Sequence, residues 1–312
     1  MKIVEPYAKL INEKDPIKLV ETVGRLCYKS ENKITDNSCY KFVNMLISHK
    51  HYAMLEHGHV HFLLTTHNNK EFPSELSQIP YIIWTEVQND IYEHQKSDDR
   101  LFIVTVSLSH LFKNYDDVDF PILNEMLYLF LEKYEELKYE IHVEFTYEIN
   151  IALGDESILH LLSAPDAEKH TFYTMKFVCD RGVSHELVRH RCSVAQESTR
   201  YCNYSKDKFD NQISVIKPVN IIEGTTVYEN WYHLCSSAES TYLSMLNDVN
   251  PQDARAILPT SLKTEVILTM NLEQWQHFFD VRFYGLTGTP HPDMLVVANK
   301  AIRQFEIMQV YM

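Results

Sequence analysis

The stretch His170–Cys179 reads His-Thr-Phe-Tyr-Thr-Met-Lys-Phe-Val-Cys and leads directly into an arginine-rich segment, residues 181–201, whose fold it decides. Its side chains alternate in two sets, as they do along a strand, so we predict a β-strand. Asp180-Arg181-Gly182 predicts a turn, and Ser184 is a suitable N-cap for a short helix that runs to about Arg191. A polar loop over residues 192–205 is predicted to follow. The strand, turn and helix are therefore expected to place Arg189-His190-Arg191 at the carboxyl-terminal end of the helix.

Arginine is concentrated in this segment. Four of the nine arginines in the chain lie between Arg181 and Arg200, although the formal net charge of the chain is -14. A single arginine at a helix end would only complement the helix dipole. A guanidinium group matches phosphate and carboxylate oxygens two at a time, which makes arginine the usual residue for holding anions. The cluster therefore predicts a site for an anionic ligand.

The composition sets limits on the function. The 312 residues are 45% hydrophobic and 23% charged, and the low glycine count of 7 offers no flexible linker, so we predict one elaborated domain over residues 1–312. The net negative charge argues against a nucleic-acid surface. The absence of a long apolar run or a signal-peptide core predicts a cytoplasmic protein that binds no membrane. Six cysteines without close pairing predict reduced thiols.

Helical and strand patterns are interspersed along the rest of the chain. Predicted strands lie at 59–66, 101–106 and 263–271; predicted helices lie at 36–50, 82–95, 121–138, 228–249, from 250 onward, at 272–282 and at 292–312. Because these elements show no regular βαβ alternation, we predict an α+β fold. The stretch 67–168 carries no recognisable motif.

The arginine segment resembles the signature of the flavin-dependent thymidylate synthases. That signature has Arg-His-Arg, a spacer, Ser, and then Arg-Tyr, which correspond here to residues 189–191, Ser198 and 200–201, with a spacer one residue shorter. Further segments resemble the family in the same order along the chain. They are Glu56-His57, Asp253-Ala254-Arg255-Ala256-Ile257-Leu258-Pro259, and Asn271 with Phe278–Arg282. The matching segments cover about half the chain, and 67–168 is longer than the shortest members need.

The resemblance implies a fold and a reaction. The fold would be that of the thymidylate synthase-complementing proteins, a mixed, largely antiparallel sheet flanked by helices. The enzyme would methylate deoxyuridylate (dUMP) to thymidylate (dTMP), with methylenetetrahydrofolate as carbon donor, reduced FAD as hydride source and NADPH as reductant. Family members are homotetramers whose sites form between subunits, so a homotetramer is expected.

The resemblance also implies roles for particular residues. Arg282 would be the catalytic residue, stabilising negative charge on the uracil ring. The expected dUMP-binding residues are Glu186, Arg189, Gln196, Glu197, Ser198, Thr199, Arg200, Arg255 and Arg282. The expected FAD-binding residues are His57, His59, Arg189, His190, Arg191, Gln196, Asn271 and His277.

Two alternative functions remain open at this stage. His57, His59 and His61 alternate, so one strand would place three imidazoles on a single face, as a metal-dependent hydrolase requires. Histidines hydrogen-bonded in a half-buried strand explain the same pattern, and we predict no metal. The other alternative is a non-catalytic flavin- or nucleotide-binding relative, which the shorter spacer would suit. Cys192 and Cys202 lie near arginines, but we predict small apolar residues rather than a nucleophile.

Overall fold

The computed structural model describes residues 1–67, 69–88, 99–113, 120–139, 141 and 149–310. The strands in these ranges are β1 (Lys2–Ile3), β2 (Tyr7–Ile11), β3 (His59–His67), β4 (Ile83–Glu86), β5 (Asp99–Ser107), β6 (Ile149–Gly154), β7 (Phe172–Asp180), β8 (Ser193–Gln196), β9 (Ser214–Val215) and β10 (Lys263–Asn271). The α-helices are α1 (Pro16–Tyr28), α2 (Ser38–Ser48), α3 (Phe72–Gln78), α4 (Leu108–Lys113), α5 (Pro121–Lys133), α6 (Ala164–His170), α7 (Arg181–Leu187), α8 (Thr226–Met245), α9 (Pro251–Ala254), α10 (Leu272–Arg282) and α11 (Pro292–Ile307). A 3-10 helix spans Tyr52–His57.

The strands form two four-stranded antiparallel sheets. One has the order β2-β7-β10-β8 and holds the arginine segment, so we call it the motif sheet. The other has the order β4-β5-β3-β6 and draws β4, β5 and β6 from within 67–168, so we call it the insert sheet. A short parallel pair joins β1 to β9. The prediction of a largely antiparallel α+β fold is confirmed.

Helix α1 packs between the two sheets. Its residues Ile17 and Val20 belong to the core of the insert sheet, which also contains residues of α2, α4 and α5. Its residues Val23 and Leu26 pack on Ala195 of β8 and Ile267 of β10. One helix therefore packs against both sheets and fixes their positions relative to each other. The prediction of a single domain over 1–312 stays a prediction.

The segment that leads into the arginine cluster folds almost as predicted. The strand is confirmed as β7, but the helix begins earlier than predicted because Asp180, not Ser184, caps it. Asp180 accepts a hydrogen bond from the Val183 backbone N–H at 2.9 Å, whereas Ser184 is buried and donates to the Arg181 carbonyl. The predicted turn at 180–182 is thus the start of α7, and the helix ends at Leu187.

Two predicted elements were wrong. The predicted loop 192–205 contains a strand, β8, because its backbone pairs with β10 in the register Val266 to Gln196. The predicted helix 82–95 is a strand over Ile83–Glu86, where it pairs with β5. Residues 89–95 of that prediction lie outside the described residues. In both cases pairing with a distant strand overrides the local pattern.

The other predicted elements are confirmed, with shifts at their ends. The strands at 59–66 and 101–106 are β3 and β5, and the helices at 36–50, 121–138 and 228–249 are α2, α5 and α8. The helix starting at 250 is the four-residue α9. The last helix ends at Ile307, and residues 311–312 lie outside the described residues.

Helix α11 covers the outer edge of the motif sheet. The Leu10 backbone N–H of β2 donates to Gln304 Oε1 at 3.4 Å. The Lys300 ammonium donates to the Pro6 carbonyl at 2.7 Å. Side chains of a helix thus take hydrogen-bonding positions that a further strand would use.

Candidate active site

A cavity of about 680 Å³ lies between the motif sheet and the insert sheet. Its volume is in the range of small-molecule and cofactor sites, roughly 300–1,000 Å³. Residues from six separate segments line it, among them Glu56, His59, Arg191, Ser193 and Asn271. The fold therefore brings together residues that the sequence had associated only by motif.

Two hydrogen bonds hold the backbone around Arg191 at this cavity. The Ser193 hydroxyl donates to the Glu56 carbonyl at 2.8 Å, and Gln274 Nε2 donates to the Arg191 carbonyl at 3.3 Å. Gln274 belongs to a capping box with Asn271 at the start of α10, so its side chain is itself held in place. The exposed Arg191 side chain thus extends from a fixed backbone.

Arg282 at the end of α10 makes three contacts with the arginine segment. Its Nη1 donates to Glu186 Oε2 at 2.5 Å, and its Nη2 donates to the Glu186 carbonyl at 3.2 Å. Its Nε donates to His190 Nε2 at 3.1 Å, so that nitrogen carries no proton. Burial, together with the charge of Arg282 and with His277, lowers the pKa of His190 to about 4. His190 is therefore neutral near pH 7 and orients the guanidinium as an acceptor.

A second arginine pair lies beyond the other end of β8. Arg255 Nη1 donates to Thr199 Oγ1 at 3.4 Å, and Arg200 Nε donates to Gln252 Oε1 at 3.3 Å. The Ser198 hydroxyl accepts from the Arg200 backbone N–H at 3.3 Å. The structure therefore brings Arg200, Arg255, Ser198 and Thr199 together, as predicted from the sequence, and adds Gln252. Gln252 went unnoticed because nothing in its local pattern marks it.

Four of these arginines have no carboxylate partner. Arg189, Arg191, Arg200 and Arg255 are exposed and form no ion pair with any residue that the structure describes. In a chain of net charge -14, exposed guanidinium groups that avoid carboxylates are available to an anion from outside. The arrangement favours an anionic ligand.

Gln196 and Glu197 are held by protein groups rather than facing the surface. Gln196 Nε2 donates to Ser184 Oγ at 2.9 Å and to Thr264 Oγ1 at 3.3 Å. The buried Glu197 carboxylate accepts from Lys263 Nζ at 2.9 Å and from the Tyr204 hydroxyl at 3.4 Å. Lys263 in turn donates to Glu265, a carboxylate whose pKa is about 2 because three ammonium groups offset its burial. Both side chains therefore anchor the start of the loop that carries Ser198.

The three histidines of the alternating pattern line one cavity, but their rings have different partners. The prediction that all three histidines lie on one strand was wrong for His57. His57 ends the 3-10 helix, and β3 begins only after Gly58, at His59. Its Nδ1 hydrogen-bonds Thr269 Oγ1 at 2.7 Å, and its Nε2 is buried without a partner in the described residues. His59 stacks on Phe172 with ring centroids 3.6 Å apart. His61 Nδ1 hydrogen-bonds Thr105 Oγ1 at 2.7 Å.

These surroundings do not favour the metal-dependent hydrolase. Burial lowers the pKa of His57 and of His59 to about 3 and that of His61 to about 4, so all three are neutral near pH 7. Neutral imidazole is also the form that ligates a metal, so the arrangement of the side chains decides the matter. Within the described ranges, no group of three or more His, Cys, Asp or Glu side chains is arranged to hold a metal ion. His57 and His61 each use one ring nitrogen on a threonine hydroxyl, and His59 stacks on Phe172.

Asn271 caps the start of α10, and His277 lies within that helix. Asn271 caps the helix through Oδ1 and donates from Nδ2 to the Lys169 carbonyl at 3.0 Å, so its polar atoms have partners. It nevertheless lines the cavity. His277 is exposed, with its ring 6.4 Å from that of His190.

The cavity suits a flavin dinucleotide. His59 Nδ1 is buried without a hydrogen-bond partner in the described residues, and His59 lines the cavity. A buried polar atom of this kind is stabilised when a ligand supplies the missing hydrogen bond. Arg191 adds a positive charge for a phosphate group, and the stacked pair of His59 and Phe172 adds a flat surface for a ring.

Comparison with known proteins decides the family. The model of the family described as thymidylate synthase complementing protein matches residues 9–68 and 163–307, which is well over half of the 312 residues. The chain belongs to the thymidylate synthase complementing protein family.

Curated relatives of this thymidylate synthase complementing protein carry the name flavin-dependent thymidylate synthase. One from Pyrococcus furiosus is 34% identical over 135 residues, 42% of this chain and 51% of the relative. One from Geobacter sulfurreducens is 32% identical over 136 residues, 42% of this chain and 53% of the relative. The chain thus spans about half the length of the curated relatives that it matches. Among solved structures, a UMP/dUMP methylase, PolB from Streptomyces cacaoi, aligns over 98% of this chain and 93% of its own. The TM-score is 0.41 and the sequence identity is 12%, a similarity too low to assign a fold or a function.

The match to the thymidylate synthase complementing proteins omits residues 69–162, nearly the stretch 67–168 that lacked a motif. Yet Tyr81, His110 and Lys113 from this stretch line the same cavity as Arg191. Sequence reasoning missed them because no local pattern connects residues so far apart along the chain.

The cysteines near the arginines are not activated in this thymidylate synthase complementing protein. Burial raises the pKa of Cys192 and of Cys202 to about 12, so both remain thiols near pH 7. A thiol in this state is a poor nucleophile. No helix in the described part of the chain has the length and apolar character needed to cross a membrane.

Proposed function

We propose that this chain is a flavin-dependent thymidylate synthase. In the overall reaction, dUMP, methylenetetrahydrofolate, NADPH and a proton give dTMP, tetrahydrofolate and NADP⁺. The carbon donor supplies a one-carbon unit at the oxidation level of formaldehyde, so a hydride is needed to make the methyl group. Bound FAD would supply the hydride chemistry, and the protein would position the reactants.

One observation carries this proposal. Exposed arginines that have no carboxylate partner among the described residues lie at both ends of β8, next to a cavity of about 680 Å³ that suits a flavin dinucleotide. Membership of the thymidylate synthase complementing protein family supports the same proposal independently. An anion-binding surface next to a cofactor-sized cavity is what a reaction between a nucleotide and a bound cofactor requires.

The dUMP phosphate would lie between Arg200 and Arg255, with the Ser198 hydroxyl and the Thr199 hydroxyl as further donors. These groups already lie together around Gln252 and Thr199. Arg189 would contribute a further charge. Gln196 and Glu197, whose side chains point inward, would act on dUMP by holding this loop.

Arg282 would act as the catalytic residue at the uracil ring. Negative charge develops on the ring when its C5 attacks the one-carbon unit, and a guanidinium held near that charge stabilises the transition state. Glu186 and the neutral His190 hold Arg282 in orientation before substrate arrives. Preorganised charge of this kind needs no rearrangement during the reaction.

FAD would occupy the cavity between the sheets. His59, Arg191 and Asn271 line it, Arg189 and His190 precede Arg191 in the chain, and the His277 ring lies 6.4 Å from that of His190. His57 would support the site from within, through the Thr269 hydroxyl. Because the arginines are exposed in one chain, we propose that sites are completed between subunits of a homotetramer in the cytoplasm.

The test is an anaerobic absorbance experiment on the purified protein incubated with FAD. We expect bound flavin that bleaches on addition of NADPH, followed by dTMP formation when dUMP and methylenetetrahydrofolate are added. Protein that retains no flavin overturns the proposal. Flavin and dUMP binding without dTMP formation would instead identify the non-catalytic relative.

A further inference from the structure

We propose that the inserted stretch supplies a wall of the flavin cavity, where Tyr81 stacks on a ring of the bound dinucleotide and Lys113 faces its phosphates. This inference rests on the proposed function, because it names further residues of the same site. It concerns residues outside 9–68 and 163–307, the ranges that match the family model.

The exposure of Tyr81 is the first observation. Its side chain is 88% exposed although it lines the cavity between the sheets. Its ring and that of His110 pack edge to face, with centroids 6.0 Å apart. A large ring left in water beside a cavity is free to cover a flat ligand, and aromatic rings are the usual partners for flat heterocycles.

The backbone of Tyr81 is the second observation. Its φ is 61°, in the left-handed region that bulky residues rarely adopt. Such a conformation is unfavourable for a residue with a Cβ atom and tends to persist at ligand-binding positions. Glycine or asparagine would adopt this backbone conformation more easily, so local conformational preference does not explain a tyrosine at this position.

The attachment of this wall is the third observation. The Leu108 backbone N–H at the start of α4 donates to the Gly58 carbonyl at 2.8 Å. A Cβ atom on Gly58 would lie 2.9 Å from the Leu108 side chain, so the two segments touch with no space for a larger residue. Gly58 lies between His57 and His59, which ties α4 and its last residue, Lys113, directly to the flavin side of the cavity.

The charge on this wall is the fourth observation. Lys113 is exposed and lines the cavity, as Arg191 does. Glu56 is the acidic residue on the same cavity, and burial raises the pKa of its carboxyl although the nearby Lys113 ammonium acts to lower it. Lys113 and Arg191 supply two positive charges to one cavity, and Tyr81 adds an exposed ring. This combination fits a ligand that joins phosphates to a flat heterocycle.

The test compares FAD and FMN binding by fluorescence titration for the wild type and two variants at position 81. Tyr81→Asn removes the ring but suits the left-handed backbone, whereas Tyr81→Phe keeps the ring. We expect Tyr81→Asn to weaken FAD binding roughly tenfold, in line with the loss of one stacked ring, and Tyr81→Phe to bind as the wild type does. Equal weakening for FMN would assign the isoalloxazine ring, and weakening for FAD alone would assign adenine.

Lys113→Met gives an independent measurement. We expect weaker FAD binding at low salt and a smaller dependence of the affinity on ionic strength. Wild-type affinities in both Tyr81→Asn and Lys113→Met would overturn the inference while leaving the proposed function intact, provided that Arg191→Ala loses FAD. A wild-type protein that binds no flavin would overturn the proposed function itself.

Discussion

Arg282 reaches Glu186 twice, once through the carboxylate at 2.5 Å and once through the backbone carbonyl at 3.2 Å. Helix α10 and helix α7 are thereby joined at the residues beside the arginine segment. The carboxylate sets the direction of the guanidinium plane, and the carbonyl prevents its rotation. The proposed catalytic arginine is therefore oriented by protein groups alone.

Replacing Arg282 with alanine should abolish most turnover while flavin stays bound. Removal of one group that stabilises developing charge slows catalysis by roughly 100-fold or more. The measurements are dTMP formation and the FAD dissociation constant. Arg303→Ala, an exposed arginine on α11, is the matched control and should keep full activity. Loss of flavin together with activity would mean that Arg282 belongs to the cofactor site.

Replacing Ser198 with alanine should weaken dUMP binding and leave FAD binding unchanged. The hydroxyl accepts from the Arg200 backbone N–H and is placed to donate to a phosphate oxygen. Loss of a hydrogen bond to a charged group corresponds to roughly a tenfold change in affinity. Calorimetric titration with dUMP and separately with FAD checks this. Unchanged dUMP affinity would remove Ser198 from the site.

Replacing Cys192 with alanine should leave substantial activity. The raised pKa of about 12 keeps the thiol protonated at the pH of an assay, so it does not serve as a nucleophile. Alkylation by iodoacetamide followed by mass spectrometry should find Cys192 slow to react at pH 7. An inactive Cys192→Ala variant that still binds FAD and dUMP would contradict this.

Replacing Lys263 with methionine should destabilise the fold far more than replacing Lys14. Lys263 pairs with the buried Glu197 and Glu265, and removing one partner of a buried pair costs about 3–5 kcal/mol. Lys14 pairs with Glu156 on the surface, where the loss should stay below about 1 kcal/mol. Urea unfolding of both variants measures the difference. Equal losses would show that the Glu197 cluster does not anchor the loop.

Acidification should destabilise the protein through its buried histidines. The pKa of His57 is about 3 in the folded state, below its ordinary value of 6.5, so the unfolded chain binds the proton first. This stability is complete above pH 6.5 and is lost as the pH falls from 6.5 toward 3, by about 2 kcal/mol at pH 5. Urea midpoints measured from pH 8 to 4.5 should fall more steeply for the wild type than for His57→Asn. Parallel curves would contradict the assignment.

Chemical signals at the ends of elements located some helices and not others: the cap followed by proline at 250–251 was recognised, whereas Asp15-Pro16 at the start of α1 was not. The bounds of β10 and α10 were predicted to the residue, and the structure shows a capping box of Asn271 and Gln274 at their junction. Asp180 caps α7 in the same way, yet Ser184 is equally acceptable by type. Only the buried position of Ser184 distinguishes them, and burial is a property of the folded chain.

The parts that escaped prediction depend on contacts distant in sequence. Strand β8 owes its existence to β10, more than 60 residues away, rather than to its own polar residues. Arginine types and spacing indicated an anion site, but the inward direction of Glu197 depends on Lys263. Tyr81 and Lys113 reach the cavity only because the insert sheet packs beside the motif sheet.

The cover that α11 places on β2 limits how copies of this chain can associate. A bare sheet edge offers a row of unpaired backbone groups to any other strand, which is a common start of aggregation. Gln304 and Lys300 occupy such groups at Leu10 and Pro6, and the charge on Lys300 makes approach of an apolar strand unfavourable. Joining of two motif sheets through this edge is therefore disfavoured, which leaves side-chain surfaces to determine the symmetry of an assembly.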